Sequence, residues 1–156
     1  MPRLKVTEIY ASVQGESTHA GRLCAFVRLT GCNLRCTWCD SEYTFSGGDW
    51  MSIEQIISKV DELEIPLVQV TGGEPLAQKE CMTLMQALLD EGYEVLLETS
   101  GSISVVEVPL SVSTIMDLKA PSSGESAKNL WSNIELLGEG DEVKIVIGSR
   151  QDYDWA

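Results

Sequence analysis

Three of the chain's five cysteines, Cys32, Cys36 and Cys39, fall within the run T-G-C-N-L-R-C-T-W-C-D-S from Thr30 to Ser41. Thiols spaced C-x3-C-x2-C serve one inorganic centre rather than separate places in a core. Iron–sulfur clusters are held by cysteine thiolates, usually four to a [4Fe–4S] cube, so a compact run of three leaves one iron open to a small molecule. Two other readings compete. A structural zinc site wants four ligands, and the only histidine, His19, lies upstream with no finger-like spacing to the triplet. Disulfides would leave an odd thiol and need an oxidising compartment that nothing in this chain announces.

A loop of this kind needs rigid elements around it. Leu23–Leu29 (L-C-A-F-V-R-L) is an almost continuous apolar run of strand length, as a buried parallel strand requires, and it delivers the chain into the cysteine loop. Arg28 interrupts it near the end, where a guanidinium can clamp a carboxylate ligand or pair with an acidic side chain. Cys24 on the same strand reads as a small buried hydrophobe. Upstream, residues 4–10 alternate and predict a strand, followed by a polar loop over 11–22. Gln14, Gly15 and Glu16 in that loop read either as a solvated connection or as a binding wall.

Downstream, Ser52 opens the capping box S-I-E-Q, and Ile53, Ile56, Ile57, Val60 and Leu63 recur at helical spacing. Leu67–Val70 predicts a strand ending in T-G-G-E-P, whose paired glycines let backbone approach a ligand. Residues 78–92 predict a second core-facing helix in which Cys81 fills core. Strands over 93–97 and 112–116 end in E-T-S-G and D-L-K-A-P-S-S-G. A short element is expected over 103–108, a helix over 127–137, a strand over 142–147 and the opening of a helix over 151–156. Polar loops at successive strand ends are what a (β/α) barrel builds its site from, so the expected fold class is α/β, a partial TIM-like barrel in a single domain over residues 1–156.

At 156 residues, 44% hydrophobic and 22% charged, the composition is that of one globular domain. Lys plus Arg total 11 against 24 Asp plus Glu, a net charge of −13, which disfavours a phosphate backbone as partner, so no nucleic acid is expected. No apolar run approaches the roughly 20 residues of a membrane span, and M-P-R-L-K lacks a secretory h-region. The expected setting is cytoplasmic, away from membranes.

The triplet with Trp38 before its last cysteine resembles the signature of the radical S-adenosylmethionine (SAM) superfamily. Its flanks resemble one family there, the 7-carboxy-7-deazaguanine synthases, over nearly the whole chain. The residues that carry this are Ser12–Glu16 (S-V-Q-G-E), Gly21–Cys32, Trp38–Ser41 (W-C-D-S), Thr71–Pro75 (T-G-G-E-P), Glu98–Gly101 (E-T-S-G) and Asp117–Gly124. The triplet alone would indicate only the superfamily, whereas Q-G-E upstream of it together with C-D-S is more specific.

The resemblance implies a radical SAM barrel with a [4Fe–4S] cluster on Cys32, Cys36 and Cys39, and SAM chelating the open iron. It implies Mg2+ on the Ser41 hydroxyl, where threonine is more usual; magnesium prefers oxygen ligands. Val13, Gln14, Gly15, Glu16, Arg28 and Thr71 become expected substrate contacts. Trp38, Cys39, Asp40, Gly73, Ser100, Asp117 and Lys119 become expected SAM contacts, with Glu74 beside Gly73 at the methionyl amine. The implied substrate is 6-carboxy-5,6,7,8-tetrahydropterin, which loses a hydrogen at C6 to a 5′-deoxyadenosyl radical, contracts its ring and releases ammonia to give 7-carboxy-7-deazaguanine. A flavodoxin or ferredoxin would supply the electron, and a homodimer is implied.

Ser17 stands where a glycine commonly follows Q-G-E. Members of the family continue past the equivalent of Ala156 with another strand, a helix and a tail that helps to close over the pterin. The expectation is therefore a barrel truncated at its C-terminus, with cluster binding retained and turnover weakened. Two rivals remain. A radical SAM activase that installs a glycyl radical on a partner enzyme suits the short chain but does not need Q-G-E, Arg28 or Ser41. A zinc-binding interaction module would purify colourless and loaded with zinc.

Overall fold

Along Leu23–Leu29 (β2), side chains alternate between the two faces of a sheet. Ala25, Val27 and Leu29 enter a core of 22 buried residues, while Cys24 and Phe26 join a smaller cluster with Leu67, Leu96 and Ile115. Arg28 comes next on that second face, so the charge that breaks the apolar run marks where the smaller cluster gives way to a polar cavity. The pattern repeats on Leu67–Gly72 (β4), where Val68 and Val70 face the large core and Gln69 and Thr71 line the cavity. On Glu94–Thr99 (β5) and Ser113–Asp117 (β6), Leu97 and Met116 face the large core, and Glu98 and Asp117 the cavity.

The computed structural model describes residues 1–156, and its seven-stranded sheet is completed by β1 (Arg3–Val13), β3 (Asp49–Ser52) and β7 (Glu142–Lys144). The spatial order is β3-β1-β2-β4-β5-β6-β7. β2, β4, β5, β6 and β7 run parallel, whereas β1 is antiparallel to both β2 and β3. The result is the expected α/β class, an open partial (β/α) barrel carrying an antiparallel pair at one edge.

The helices α1 (Ile53–Asp61) and α2 (Cys81–Asp90) cover the large core, burying Ile53, Ile56 and Val60 from one and Cys81, Leu84, Met85 and Leu88 from the other. The capping box forms: Ser52 Oγ accepts from Gln55 N at 3.3 Å, and Gln55 Oε1 accepts from Ser52 N at 2.9 Å. A short third helix, α3 (Arg150–Trp155), is capped by Ser149. None of the helices is long and apolar enough to cross a membrane.

The structure departs from the sequence pattern in five places. β3 pairs with β1 although its own four residues show no clear signal. β1 runs on to Val13, and the strand expected over 142–147 stops at Lys144. The helix expected over 127–137 is two 3-10 segments, Ser126–Lys128 and Trp131–Leu136, and residues 103–108 form turns without a helix or strand. Two asparagines explain this. Asn129 bonds both the N–H and the carbonyl of Lys119, at 3.0 and 2.9 Å. Asn133 donates to the carbonyls of Gly101 and Ile103 and accepts from Val105 N. Side chains that satisfy distant backbone in this way compete with the helical ladder.

Candidate active site

A cavity of about 330 Å³ opens at the C-terminal ends of the parallel strands, and all three cysteines of the triplet line it. The loop that carries them is fixed from several sides. Gly31 N donates to Thr44 O at 2.7 Å, Thr37 N to Ser123 O at 2.9 Å, and Arg35 N to Glu125 Oε1 at 2.8 Å. The T-G-G-E-P turn packs closely on the strand that feeds this loop, since a Cβ on Gly72 would meet O of Leu29, the last residue of β2, at 2.4 Å. A Cβ on Gly73 would meet Gly31 O at 2.4 Å, and Glu74 N donates to that oxygen at 2.9 Å. The paired glycines thus let backbone approach the cysteine loop as well as the cavity.

Glu74 itself does not line the cavity. It is fully buried and accepts from Leu76 N, Thr99 Oγ1, Ser100 N and Ser100 Oγ at 3.0, 2.8, 2.8 and 2.6 Å. Its carboxylate joins the turn after β4 to the E-T-S-G turn after β5 and so sets where Gly73 and Ser100 stand.

Among the thiols, burial pushes Cys32 and Cys36 upward, opposed by the Leu34 N–H at Cys32 and by the Lys119 charge at Cys36. Leu34 N lies 3.4 Å from Cys32 Sγ, the kind of hydrogen bond to sulfur that tunes a bound cluster. Cys24 and Cys81 are different: burial pushes their thiols up to about 11 and about 12, which leaves them protonated core residues. Nowhere do three His, Cys, Asp or Glu side chains converge as a single metal ion would require. The cavity lining offers no fourth cysteine and no histidine beside these three thiols, whereas a closed structural zinc site takes four such ligands.

Beyond the cysteines, Lys119 Nζ sits 5.0 Å from the centre of the Trp38 ring and 3.2 Å from Asp117 Oδ2. Asp117 Oδ1 is buried without a partner in this lining, an acceptor left for a ligand's N–H or O–H. Asp40 and Ser41 also line the cavity, with Ser41 Oγ donating to Asp40 Oδ1 at 2.7 Å. Three open thiols, a glycine cradle and an orphaned carboxylate oxygen fit the cluster and nucleoside that the sequence implies.

The far wall is a chain of polar side chains. Gln14 Nε2 donates to Gln69 Oε1, and Gln69 Nε2 donates to Glu98 Oε2 at 2.7 Å. Arg28 Nε donates to Glu8 Oε1 and its Nη2 to Tyr10 Oη, both at 2.9 Å, so the ion-pair reading of this residue is realised. Its remaining donors stay available on the cavity side.

Every residue singled out from the sequence as a contact or metal ligand lines the cavity except the buried Glu74 and Val13, which is 56% exposed at the end of β1. Sequence reasoning passed over Gln69 and Lys144 and gave Glu98 no role of its own. Their signal was the one that flagged Arg28: each is a polar residue within an apolar strand run, on the face that β2 turns to the cavity.

The radical SAM superfamily model matches residues 26–110. The chain is 50% identical over 155 residues to the 7-carboxy-7-deazaguanine synthase of Koribacter versatilis, covering 98% of this chain and 69% of that protein. It is 46% identical over 156 residues to the enzyme of that name from Chlorobaculum tepidum, covering 98% and 71%. With that of Thermoplasma acidophilum it shares 39% over 153 residues, covering 97% and 73%. The fold is similar to the crystal structure of QueE from Escherichia coli, with a TM-score of 0.83 at 22% identity over 97% of this chain and 75% of that one.

Proposed function

The chain belongs to the 7-carboxy-7-deazaguanine synthases of the radical SAM superfamily, and from that premise we propose how its residues divide the work of turning 6-carboxy-5,6,7,8-tetrahydropterin into 7-carboxy-7-deazaguanine. It is a radical SAM enzyme, and its family implies a [4Fe–4S] cluster and SAM. When bound, these supply a one-electron cleavage of a carbon–sulfur bond and, from it, removal of a hydrogen atom from the substrate.

Cys32, Cys36 and Cys39 hold the cluster, leaving one iron to SAM. Gly73 offers backbone to the methionyl amine, Ser100, Asp40 and Cys39 line the approach, and Trp38, Asp117 and Lys119 bound the nucleoside, with Asp117 Oδ1 accepting from it. On the opposite wall Arg28 meets the pterin carboxylate with the donors that Glu8 and Tyr10 leave over. Gln14, Gly15, Glu16 and Thr71 frame the ring, and Val13 supports the loop from outside the lining. Holding the reacting carbon against the adenosyl carbon in a walled cavity is the protein's main contribution. The Ser41 hydroxyl, with Asp40 beside it, would hold Mg2+, and the ion would supply a positive charge for the substrate's anionic groups. The protein acts as a single radical SAM domain in the cytoplasm, as a homodimer reduced by a flavodoxin or ferredoxin.

The observation that carries this reading is that the cysteines, the glycine cradle and the Q-G-E, Arg28 and Ser41 groups all line one cavity. An activase needs none of the last three. Anaerobic reconstitution should give a brown protein with about four irons per chain. Incubation with SAM, a reductant and the carboxytetrahydropterin should yield 7-carboxy-7-deazaguanine by mass spectrometry. Cluster loading without that product, or 5′-deoxyadenosine formed only with a partner protein, would refute the assignment.

A further inference from the structure

Lys144 ends β7, the edge strand of the sheet, with its ammonium in the cavity lining. Nζ lies 2.6 Å from Glu98 Oε1, 2.6 Å from Glu16 Oε2 and 3.5 Å from Asp117 Oδ2. These carboxylates come from β5, from the loop after β1 and from β6, so one cation gathers three separate elements. Glu98 also accepts from Gln69, which accepts from Gln14, and the ammonium therefore anchors one end of an oriented amide chain that reaches the Q-G-E loop. A second tie lies on the same strand: Glu142 accepts from Thr18 Oγ1 at 2.6 Å. Two acceptors are left over around the cluster, Asp117 Oδ1, which is buried without a partner, and Glu16 Oε1, which makes no hydrogen bond.

We propose that Lys144 is a positioning residue for substrate recognition, which holds the Q-G-E loop against the cavity wall and fixes Glu16 and Glu98 as charged acceptors for the N–H donors of the pterin. The inference rests on the pterin reading above. Without the ammonium, Glu98 would be a part-buried carboxylate beside two others. Such a group either protonates, becoming a donor where an acceptor is needed, or turns away toward water. A guanidinium at the same place keeps the charge, whereas a shorter neutral amide can serve at most two of the three partners.

The test compares Lys144→Met, Lys144→Gln and Lys144→Arg on reconstituted enzyme under anaerobic conditions, reading the Kd for carboxytetrahydropterin and the hydrogen exchange of amides 14–22. Lys144→Met should weaken pterin binding about tenfold or more and speed exchange in the loop, while iron stays at about four per chain. Lys144→Arg should stay within about threefold of wild type on both readouts, and Lys144→Gln should fall between. If the methionine variant fails to fold, the glutamine variant decides. Pterin affinity unchanged in either neutral variant, or lost equally in Lys144→Arg, would overturn the inference. A wild type that does not bind the pterin at all would overturn the functional reading with it, which keeps the two failures apart.

Discussion

A Cβ placed on Gly73 would stand 2.6 Å from the Cβ of Cys32, closer than real side chains approach, with Gly31 O nearer still at 2.4 Å. Neither neighbour is the end of a flexible side chain, so the turn after β4 and the cysteine loop can coexist only while position 73 lacks a side chain.

Gly73→Ala is therefore expected to push the cysteine loop off its seat. Reconstituted variant should hold fewer than the wild type's irons, and formation of 5′-deoxyadenosine should fall by about a hundredfold, the cost of an ångström-scale misplacement at a reacting centre. Gly140→Ala is the control, since a Cβ there meets nothing within 4 Å. Full iron loading and wild-type turnover in Gly73→Ala would show that the loop can yield.

Glu74→Gln tests the link between two loops. The carboxylate accepts four hydrogen bonds from three residues, and an amide presents its NH2 group to donors on one side. Leaving buried donors unmatched should cost roughly 1–3 kcal/mol of unfolding free energy, read by urea denaturation of the apo chain. SAM affinity should fall as well, because Ser100 and Gly73 are set by this carboxylate. Stability equal to wild type would mean that the donors find other partners.

How far the sequence could be read depended on the range of the forces at each place. β2 and the capping box at Ser52 are decided by neighbours in sequence and were legible to the residue. The cavity face was half legible: Arg28 stood out, whereas Gln69 in L-V-Q-V and Lys144 in E-V-K-I gain their meaning from partners on other strands. Lys144 pairs with Glu16, 128 positions away. The helix expected over 127–137 failed for a similar reason. Asn129 and Asn133 serve backbone at Lys119 and at 101–105, which no local pattern shows. β3 exists through its ladder with β1. Glu74, read at first beside the methionyl amine, is spent on neighbouring loops.

Asp152 gives a pH dependence of known sign. It is buried and accepts from Ser122 Oγ, and from Ser122 N and Gly148 N at 2.9 Å each, pinning α3 to the turn at Pro121–Ser123. The Ser122 hydroxyl foremost, and then these N–H groups, hold its carboxyl below the usual aspartate range. A folded-state value depressed in this way adds stability above the unfolded value of about 3.9, and that stability is lost as pH falls through the lower folded value. The wild-type melting temperature should thus drop more steeply than that of Asp152→Asn as pH falls below about 4, with the wild type more stable at neutrality. Parallel curves would remove Asp152 from the acid response.

Ser17 follows Q-G-E with a backbone φ of +63°, in the left-handed region where a Cβ is crowded. Its Oγ accepts from His19 N at 3.1 Å, which offsets part of that strain. Replacing it with glycine removes the crowding but also this bond, and loosens the unfolded chain. These effects oppose, so Ser17→Gly should stay within about 1 kcal/mol of wild type and keep its pterin affinity. Ser17→Val loses the hydrogen bond and adds a β-branch where φ is positive. It should destabilise by about 1–3 kcal/mol and weaken pterin binding through the displaced Glu16. Denaturant titration and anaerobic pterin binding on the two variants separate the cases. A valine variant as stable as the glycine one would mean that the loop relaxes out of the left-handed conformation, and that the Glu16–Lys144 contact does not depend on it.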